Sequence, residues 1–277
     1  MTLADIVVNN KFHLVDLQEN GLAVDVHTGE EYDDFSIFMS YGTNDYNRLF
    51  YTQDHIVEDY SEHIANTRQE YLIRRQTEIV KNVKSSELKE SDTYRGVQRI
   101  NGLLSRDICE KLNDYINEEF DNGRLKPIGS LTYAKNRYDM ALEKEGIVSD
   151  VMNTLSIKNI KEVAVIISEP GATMQPFHPD FYDTDLHTCF IALQDITEDM
   201  GPTQLIPNTN DEETNKRYDD EKRIGYPLKN PNVLGVMNCG DALIYDVRTI
   251  HRGTENKSSK RRNLFYVTYA SPAICAR

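Results

Sequence analysis

The chain has 277 residues, enough for one large domain or two small ones. Its formal net charge of −14 excludes a general binder of nucleic acids or anionic membranes, which would need a basic surface. No run approaches the roughly 20 apolar residues of a membrane span. We therefore predict a cytoplasmic protein, a monomer or weak oligomer, that binds a small molecule and neither nucleic acid nor membrane. Its four scattered cysteines predict reduced thiols and no disulfide framework.

The first third of the chain is predicted to be a helical extension. Segments 22–26 and 35–39 indicate two short strands around a turn. Over residues 54–82, apolar residues recur at spacings of three and four between charged ones. This periodicity predicts a long amphipathic helix with Asp54 as a candidate N-cap, followed by a polar linker at 84–92. Residues 1–94 are thus predicted to form a helical N-terminal extension that packs on a core domain.

Residues 95–277 are predicted to be mainly β with flanking helices. Segment 95–104 indicates a strand and a turn, Ser105 starts a helix that Gly123 ends, and 147–155 indicates a short helix. The polar segment 208–230 predicts a long surface loop. Short apolar runs predict six strands, at residues 163–168, 187–193, 203–206, 233–237, 242–245 and 263–269. This order favours a β-sandwich or small barrel whose mouth holds the site.

A His-x-Asp pair, His178 and Asp180, follows the first of these strands and a turn at 169–172. On extended chain, residues two apart point to the same side, so both side chains could bind one metal ion. The pair alone is weak evidence, because it also occurs by chance. His251 follows a later strand and precedes Gly253, where a side chain can project into the mouth of a barrel. His251 therefore supplies the third ligand that such an ion needs.

Two histidines and one carboxylate on one face of an ion leave other positions open, which is diagnostic of non-haem Fe(II) oxygenases. Arg262 heads the next strand. Its planar guanidinium can bind a carboxylate with two parallel hydrogen bonds, so a dicarboxylate such as 2-oxoglutarate fits as co-substrate.

The second half of the chain resembles the phytanoyl-CoA hydroxylase-like (PhyH) family of Fe(II)/2-oxoglutarate-dependent oxygenases over about residues 95–270. The resemblance lies in the segments 102–105, 168–180, 192–197, 200–203, 205–207 and 240–241, and in the run from His251 through Gly253 and Asn256 to Arg262. Residues 1–90 match nothing in the family. The segment 207–210 departs from the Pro-Gly-Ser/Thr-His pattern common there, which affects the shape of a loop and no metal ligand.

The resemblance implies a double-stranded β-helix (jelly roll, cupin-like) core over 95–277 that uses Fe(II), 2-oxoglutarate and O₂. It implies that His178, Asp180 and His251 bind the iron and that Arg262 binds 2-oxoglutarate. Neighbouring Arg261 would point the opposite way on a strand. The presence of Asp180 argues against halogenation, since related halogenases have Gly or Ala there.

The predicted reaction is hydroxylation of an aliphatic C–H bond. The alternative within this class is an oxidative cyclase or desaturase of a specialised metabolite, for example a kainoid-type pyrrolidine ring closure on an N-prenyl amino acid. Outside the class, a zinc-dependent lyase or isomerase would use the same three ligands without needing Arg262. A non-catalytic β-sandwich binding protein would be expected to have lost part of the set.

Four further residues are candidates for ligand contacts. Gln175 and Thr188 are predicted to contact 2-oxoglutarate, although turn stabilisation and strand propensity also explain them. Arg137 is predicted to bind an anionic substrate, with an ion pair as the alternative. Tyr182 is predicted to line the substrate pocket or to pack against its surroundings. His187 is expected to lie on a strand and not to bind metal.

Overall fold

The computed structural model describes residues 2–8, 11–18, 21–33, 36–40, 57–128, 136–140, 146–182 and 185–270. The first four ranges form an antiparallel sheet. Its strands are β1 (Thr2–Val8), β2 (Lys11–Leu17), β3 (Ala23–Asp25), β4 (Glu31–Tyr32) and β5 (Ser36–Ser40). Its order is β4-β3-β2-β1-β5. Alternate residues such as Ala4 and Ile6 are fully buried and pack with Val15 and Ala23.

The prediction of a helical N-terminal part is therefore not confirmed for residues 2–40, where the described residues form five strands and the turns between them. The period-two pattern of β1 is short and mixed with polar residues, so it gave a weak signal. The helix predicted over 54–82 is present as α1 (Val57–Val80); the proposed cap, Asp54, lies outside the described residues. The end of α1 packs on the rest of the protein, because Val80 is buried in a cluster with Phe177 and Tyr218.

The remaining elements follow in the order β6 (Ser85–Glu87), β7 (Val97–Ile100), α2 (Arg106–Asp121), β8 (Lys126–Pro127), β9 (Arg137–Asp139), α3 (Ile147–Leu155), β10 (Ile160–Ser168), β11 (Leu186–Ala192), β12 (Thr203–Leu205), α4 (Glu212–Asp220), β13 (Asn232–Leu234), β14 (Ala242–Asp246), β15 (His251–Gly253) and β16 (Arg262–Ala270). All six strands predicted after residue 160 are present, with only their ends moved.

Two sheets form the core. The larger has seven antiparallel strands in the order β7-β14-β11-β16-β10-β9-β8, and the smaller has the order β15-β12-β13-β6. One face of the larger sheet packs on α2 and α3 through apolar side chains such as Leu112 and Val151. Its other face packs on the smaller sheet, where Leu205 and Val233 meet Phe190 and Leu264. This arrangement is a mainly β jelly roll with flanking helices, as the resemblance implies.

The segment 208–230 is not the surface loop that its polar sequence predicts. It contains α4, whose N-cap Asp211 accepts a hydrogen bond from Thr214 N at 2.8 Å. Tyr218 is fully buried within it. The sequence EETNKRYDD contains one apolar residue, so no helical periodicity is visible, and the helix is held by packing instead.

Three of the four cysteines, Cys109, Cys189 and Cys239, are buried and free, as predicted, and Cys275 lies outside the described residues. No helix among the described residues is long and apolar enough to cross a membrane.

Candidate functional site

His178, Asp180 and His251 converge at one end of the two sheets. The backbone brings them together: His178 N donates to His251 O at 2.8 Å, and His251 N donates to His178 O at 3.0 Å. The Nε2 atoms of His178 and His251 lie 3.9 and 3.8 Å from Asp180 Oδ1. With metal–ligand bonds of about 2.1 Å, two ligand atoms on one ion lie at most about 4.2 Å apart. Both separations are below this limit, and the three candidate ligand atoms all lie within 4.8 Å of one another.

The backbone fixes the tautomer of both histidines. Nδ1 of His178 lies 2.8 Å from Pro176 O, and Nδ1 of His251 lies 2.9 Å from Thr249 O. A carbonyl oxygen only accepts, so each Nδ1 carries the proton and each Nε2 presents its lone pair to the site. Burial and the neighbouring His251 lower the pKa of His178 to about 4. The His178 ring is therefore neutral at pH 7 and available as a ligand.

Tyr245 holds the other side of the carboxylate. Its hydroxyl donates to Asp180 Oδ2 at 2.9 Å, which leaves Oδ1 directed at the histidines. Burial, and then the charge of Asp180, raise the pKa of Tyr245 well above its usual value, so the hydroxyl stays a donor. Sequence reasoning missed Tyr245. Tyr245 ends the strand predicted at 242–245, and this was the available signal. In the structure it pairs with Thr188, another residue of the cavity.

Arg262 and Arg261 point in opposite directions, as expected on a strand. Arg262 is only 4% exposed and lines the same cavity as the three ligands. Its Nε and Nη1 atoms have no hydrogen-bond partner among the residues that the structure describes. Burial lowers its pKa to about 10, so the group remains charged at neutral pH. Arg261, in contrast, is paired with Glu169 at 2.7 Å and Asp121 at 2.8 Å.

The cavity has a volume of about 140 Å³, similar to one that holds benzene. Seven of the eight residues singled out from the sequence line it: His178, Asp180, His251, Arg262, Gln175, Thr188 and Arg137. The exception, Tyr182, is 41% exposed, and its hydroxyl donates to Asp219 Oδ1 at 3.2 Å on α4. His187, which was not expected to bind metal, stacks on Tyr269 with ring centroids 6.0 Å apart.

Gln175 and Thr188 also have structural partners. Oε1 of Gln175 accepts from Gly253 N at 3.0 Å and its backbone N donates to Gly253 O at 2.9 Å, so Gln175 joins the segment before His178 to β15. The hydroxyls of Thr188 and Thr268 are 3.0 Å apart on adjacent strands. Both residues can still present polar atoms to the cavity they line.

Arg137 lies at the wall of the cavity on β9. Its Nη2 is 2.6 Å from the Tyr266 hydroxyl and 3.1 Å from Glu162 Oε1. Beyond this point a second cavity of about 680 Å³ shares Glu162, Phe181 and Thr268 with the first. The second cavity thus lies next to the first and is in the size range of ordinary ligand sites.

The donor set fits Fe(II) and 2-oxoglutarate. One carboxylate and two imidazoles face the cavity from one side, which is the facial set of non-haem iron enzymes. Buried Arg262 lines the same cavity and has N–H groups without a partner among the described residues, and a guanidinium can bind a carboxylate.

Several solved structures are similar to this chain. EvdMO1 aligns with a TM-score of 0.50 at 16% identity over 65% of this chain and 48% of its own. The α-ketoglutarate-dependent epimerase SnoN from nogalamycin biosynthesis aligns with a TM-score of 0.49 at 17% identity over 64% of this chain and 79% of its own. AviO1 from Streptomyces viridochromogenes gives 0.47 at 18%, over 65% and 91%. No functionally curated protein matches the sequence.

The family model of phytanoyl-CoA dioxygenase (PhyH) matches residues 95–264, more than half of the chain. The match contains the three candidate ligands and Arg262. The chain therefore belongs to the phytanoyl-CoA dioxygenase (PhyH) family of Fe(II)/2-oxoglutarate-dependent enzymes.

Proposed function

We propose that this enzyme hydroxylates an aliphatic C–H bond of a small molecule while 2-oxoglutarate is oxidised to succinate and CO₂. One oxygen atom of O₂ enters the product alcohol and the other enters succinate. The observation that carries the proposal is the complete His178, Asp180 and His251 set in a cavity that is also lined by Arg262, whose buried guanidinium has N–H groups without a partner among the described residues. Bound iron, together with 2-oxoglutarate and O₂, supplies the oxidant.

In this proposal the chain's own residues bind the iron and 2-oxoglutarate, orient them and exclude water. His178 and His251 supply Nε2 lone pairs and Asp180 supplies Oδ1, while Tyr245 keeps the carboxylate from rotating. Arg262 binds the distal carboxylate of 2-oxoglutarate through its buried guanidinium, which has N–H groups without a partner among the described residues. The hydroxyl of Thr188 and the amide of Gln175 add polar contacts on the same wall. Burial of these groups strengthens each electrostatic contact.

The substrate is proposed to occupy the wider outer cavity. The inner cavity, at about 140 Å³, has room for little beyond the co-substrate, whereas the outer one measures about 680 Å³. Arg137 lines the inner cavity and pairs with Glu162, which lines both cavities. Lys126 and Lys161 line the outer cavity together with Asp139 and Glu162, so the charges there balance and Arg137 carries the proposal of an anionic substrate. We therefore propose a substrate that carries a carboxylate or another anionic group near the reacting carbon.

The class of reaction is tested with purified protein, Fe(II) and 2-oxoglutarate under anaerobic conditions. We expect the weak visible charge-transfer band of a metal-bound keto acid, which zinc would not give. In air, with a substrate found by a metabolite screen, the product should gain one oxygen atom. A product that has instead lost two hydrogens would show desaturation or ring closure and would contradict hydroxylation. Absence of the band would contradict the oxygenase assignment.

Replacing Arg137 with methionine is expected to raise KM for an anionic substrate by about tenfold, or ~1.4 kcal/mol, because one charge-assisted contact is lost. The affinity for 2-oxoglutarate should not change. The measurement compares a carboxylic acid substrate with its amide. The wild type should prefer the acid, and the Arg137→Met variant should lose the preference.

The matched control for this variant is Arg124→Met. Arg124 is a half-exposed arginine that pairs with Glu119 and does not line either cavity. If the Arg137→Met variant still prefers the acid to the amide, Arg137 does not bind the substrate.

A further inference from the structure

Two helices hold the backbone N–H and C=O of Phe177, the residue directly before His178. Phe177 N donates to Oε1 of Gln76 on α1 at 2.7 Å, and Phe177 O accepts from the Tyr218 hydroxyl on α4 at 3.1 Å. In an extended chain, the N–H and C=O of one residue point to one side and those of the next residue point to the other. The N–H and C=O of His178 bond His251 on β15, so those of Phe177 face away from β15. Two buried side chains therefore take the place of a neighbouring strand.

Gln76 joins all three parts of this arrangement. Its Nε2 donates to the Tyr218 hydroxyl and to Arg223 O, both at 2.9 Å, while its Oε1 accepts from Phe177 N. The side chain is fully buried and both ends of its amide are hydrogen-bonded. Because a buried amide that loses its partners is costly, the three contacts hold one another in a single geometry.

The same segment is also held from the side of His251. The guanidinium of Arg252, the next residue after His251, lies 4.3 Å from the centroid of the Phe177 ring, and its Nε donates to Gln204 Oε1 at 2.8 Å. Phe177 is thus fixed by its backbone on one side and by its ring on the other. A shift of Phe177 would move the adjacent His178 imidazole relative to His251.

We propose that Gln76 is a positioning residue for the metal centre, and that α1 is therefore part of the catalytic unit although it lies outside the matched residues 95–264. The inference rests on the proposed function, because it assumes that His178 binds the metal. Among the described residues, the side-chain amide of Gln76 bonds Phe177, Tyr218 and Arg223, and none of these lines the inner cavity. It acts by fixing where the Nε2 atom of His178 points. Partners that orient a metal ligand commonly contribute 10–100-fold to metal affinity.

The test is a Co(II) titration of the full chain, followed by absorption in the visible range. Gln76→Met keeps the length of the side chain and removes all three hydrogen bonds. We expect Co(II) to bind about tenfold more weakly. The visible spectrum of the bound Co(II) should also change, because the ligand geometry is less well defined.

Val80→Ala is the matched control. Val80 lies one turn further along α1, is buried in the same cluster as Phe177 and makes no hydrogen bond to the metal-binding segment. It should loosen the packing of α1 while leaving Co(II) affinity and spectrum as in the wild type. An equal loss in Val80→Ala would overturn the proposal, since packing alone would then explain the effect.

Tyr218→Phe is a second and milder variant that tests the same inference if Gln76→Met does not fold. It removes one hydroxyl that bonds both Gln76 and Phe177 O, and we expect a weaker Co(II) complex with the same spectral change. The double variant should lose less than the sum of the two single losses, because both remove one network. Wild-type affinity and spectrum in both single variants would overturn the inference. Failure of the wild type itself to bind Co(II) would instead overturn the proposed metal centre.

Discussion

Replacing Asp180 with asparagine is expected to lower 2-oxoglutarate turnover by at least about 100-fold, or ~2.7 kcal/mol of transition-state stabilisation. Asparagine has nearly the same shape, and its amide oxygen can still accept from the Tyr245 hydroxyl, which lies 2.9 Å from Oδ2 of Asp180. That contact then turns the NH₂ group toward the Nε2 atoms of His178 and His251. The site keeps its form but loses its anionic ligand, so the loss is chemical and not structural.

The measurement is succinate formation at saturating Fe(II) and 2-oxoglutarate, together with the Kd for Fe(II) under anaerobic conditions. Asp107→Asn is the control, since it removes one negative charge from an exposed pair with Lys111 on α2, outside the cavity. Its activity should equal that of the wild type. Turnover within a few-fold of the wild type in Asp180→Asn would mean that the carboxylate is not a ligand, and the facial set would have to be abandoned.

The parts of the site that the sequence could predict are those set by strand geometry. His178 and Asp180 fall on the same side of an extended segment because they are two residues apart, and Arg262 and Arg261 face opposite sides because they are adjacent. Both expectations agree with the structure, where Arg262 faces the cavity and Arg261 pairs with Glu169. Such periodic rules need only local sequence, and this is also why the strands of the jelly roll were placed well.

The parts that the sequence could not predict depend on contacts between distant residues. Gln76 bonds Phe177, which is 101 residues away, and Tyr218, which is 142 residues away. On α1, Gln76 occupies one of many polar positions, and no periodicity distinguishes it from solvated ones. On α4, the single aromatic Tyr218 is buried by its neighbours and not by an apolar stripe of its own helix. Burial of polar groups follows from tertiary pairing, which a single sequence does not display.

Replacing Arg262 with methionine is expected to raise the Kd for 2-oxoglutarate by at least about 100-fold, on the order of 3 kcal/mol. The guanidinium is 4% exposed and its Nε and Nη1 atoms have no partner among the described residues, so it is arranged to meet a carboxylate from the cavity. Methionine fills a similar volume and offers no donor. The distal carboxylate would then be buried without a counter-charge, which is costly. Anaerobic titration of the charge-transfer band measures the loss.

The same substitution should have the opposite effect on the protein without 2-oxoglutarate. A buried guanidinium with unpaired N–H groups costs free energy of folding, and methionine removes that cost. We therefore expect an unfolding temperature equal to or above that of the wild type. Addition of 2-oxoglutarate should raise the wild-type Tm by mass action and leave that of Arg262→Met unchanged.

Arg261→Met is the matched control on the adjacent residue, and its expected pattern is reversed. It breaks the pairs with Glu169 and Asp121 and the contact over the Phe120 ring, 4.6 Å from the guanidinium carbon to the centroid. Stability should fall slightly, because these pairs are partly exposed, while the Tm increase caused by 2-oxoglutarate persists. If Arg262→Met keeps that increase, or if Arg261→Met loses it, the assignment of Arg262 to the co-substrate carboxylate is wrong. Opposite outcomes from two neighbouring arginines would link 2-oxoglutarate binding to the side of β16 that faces the metal ligands.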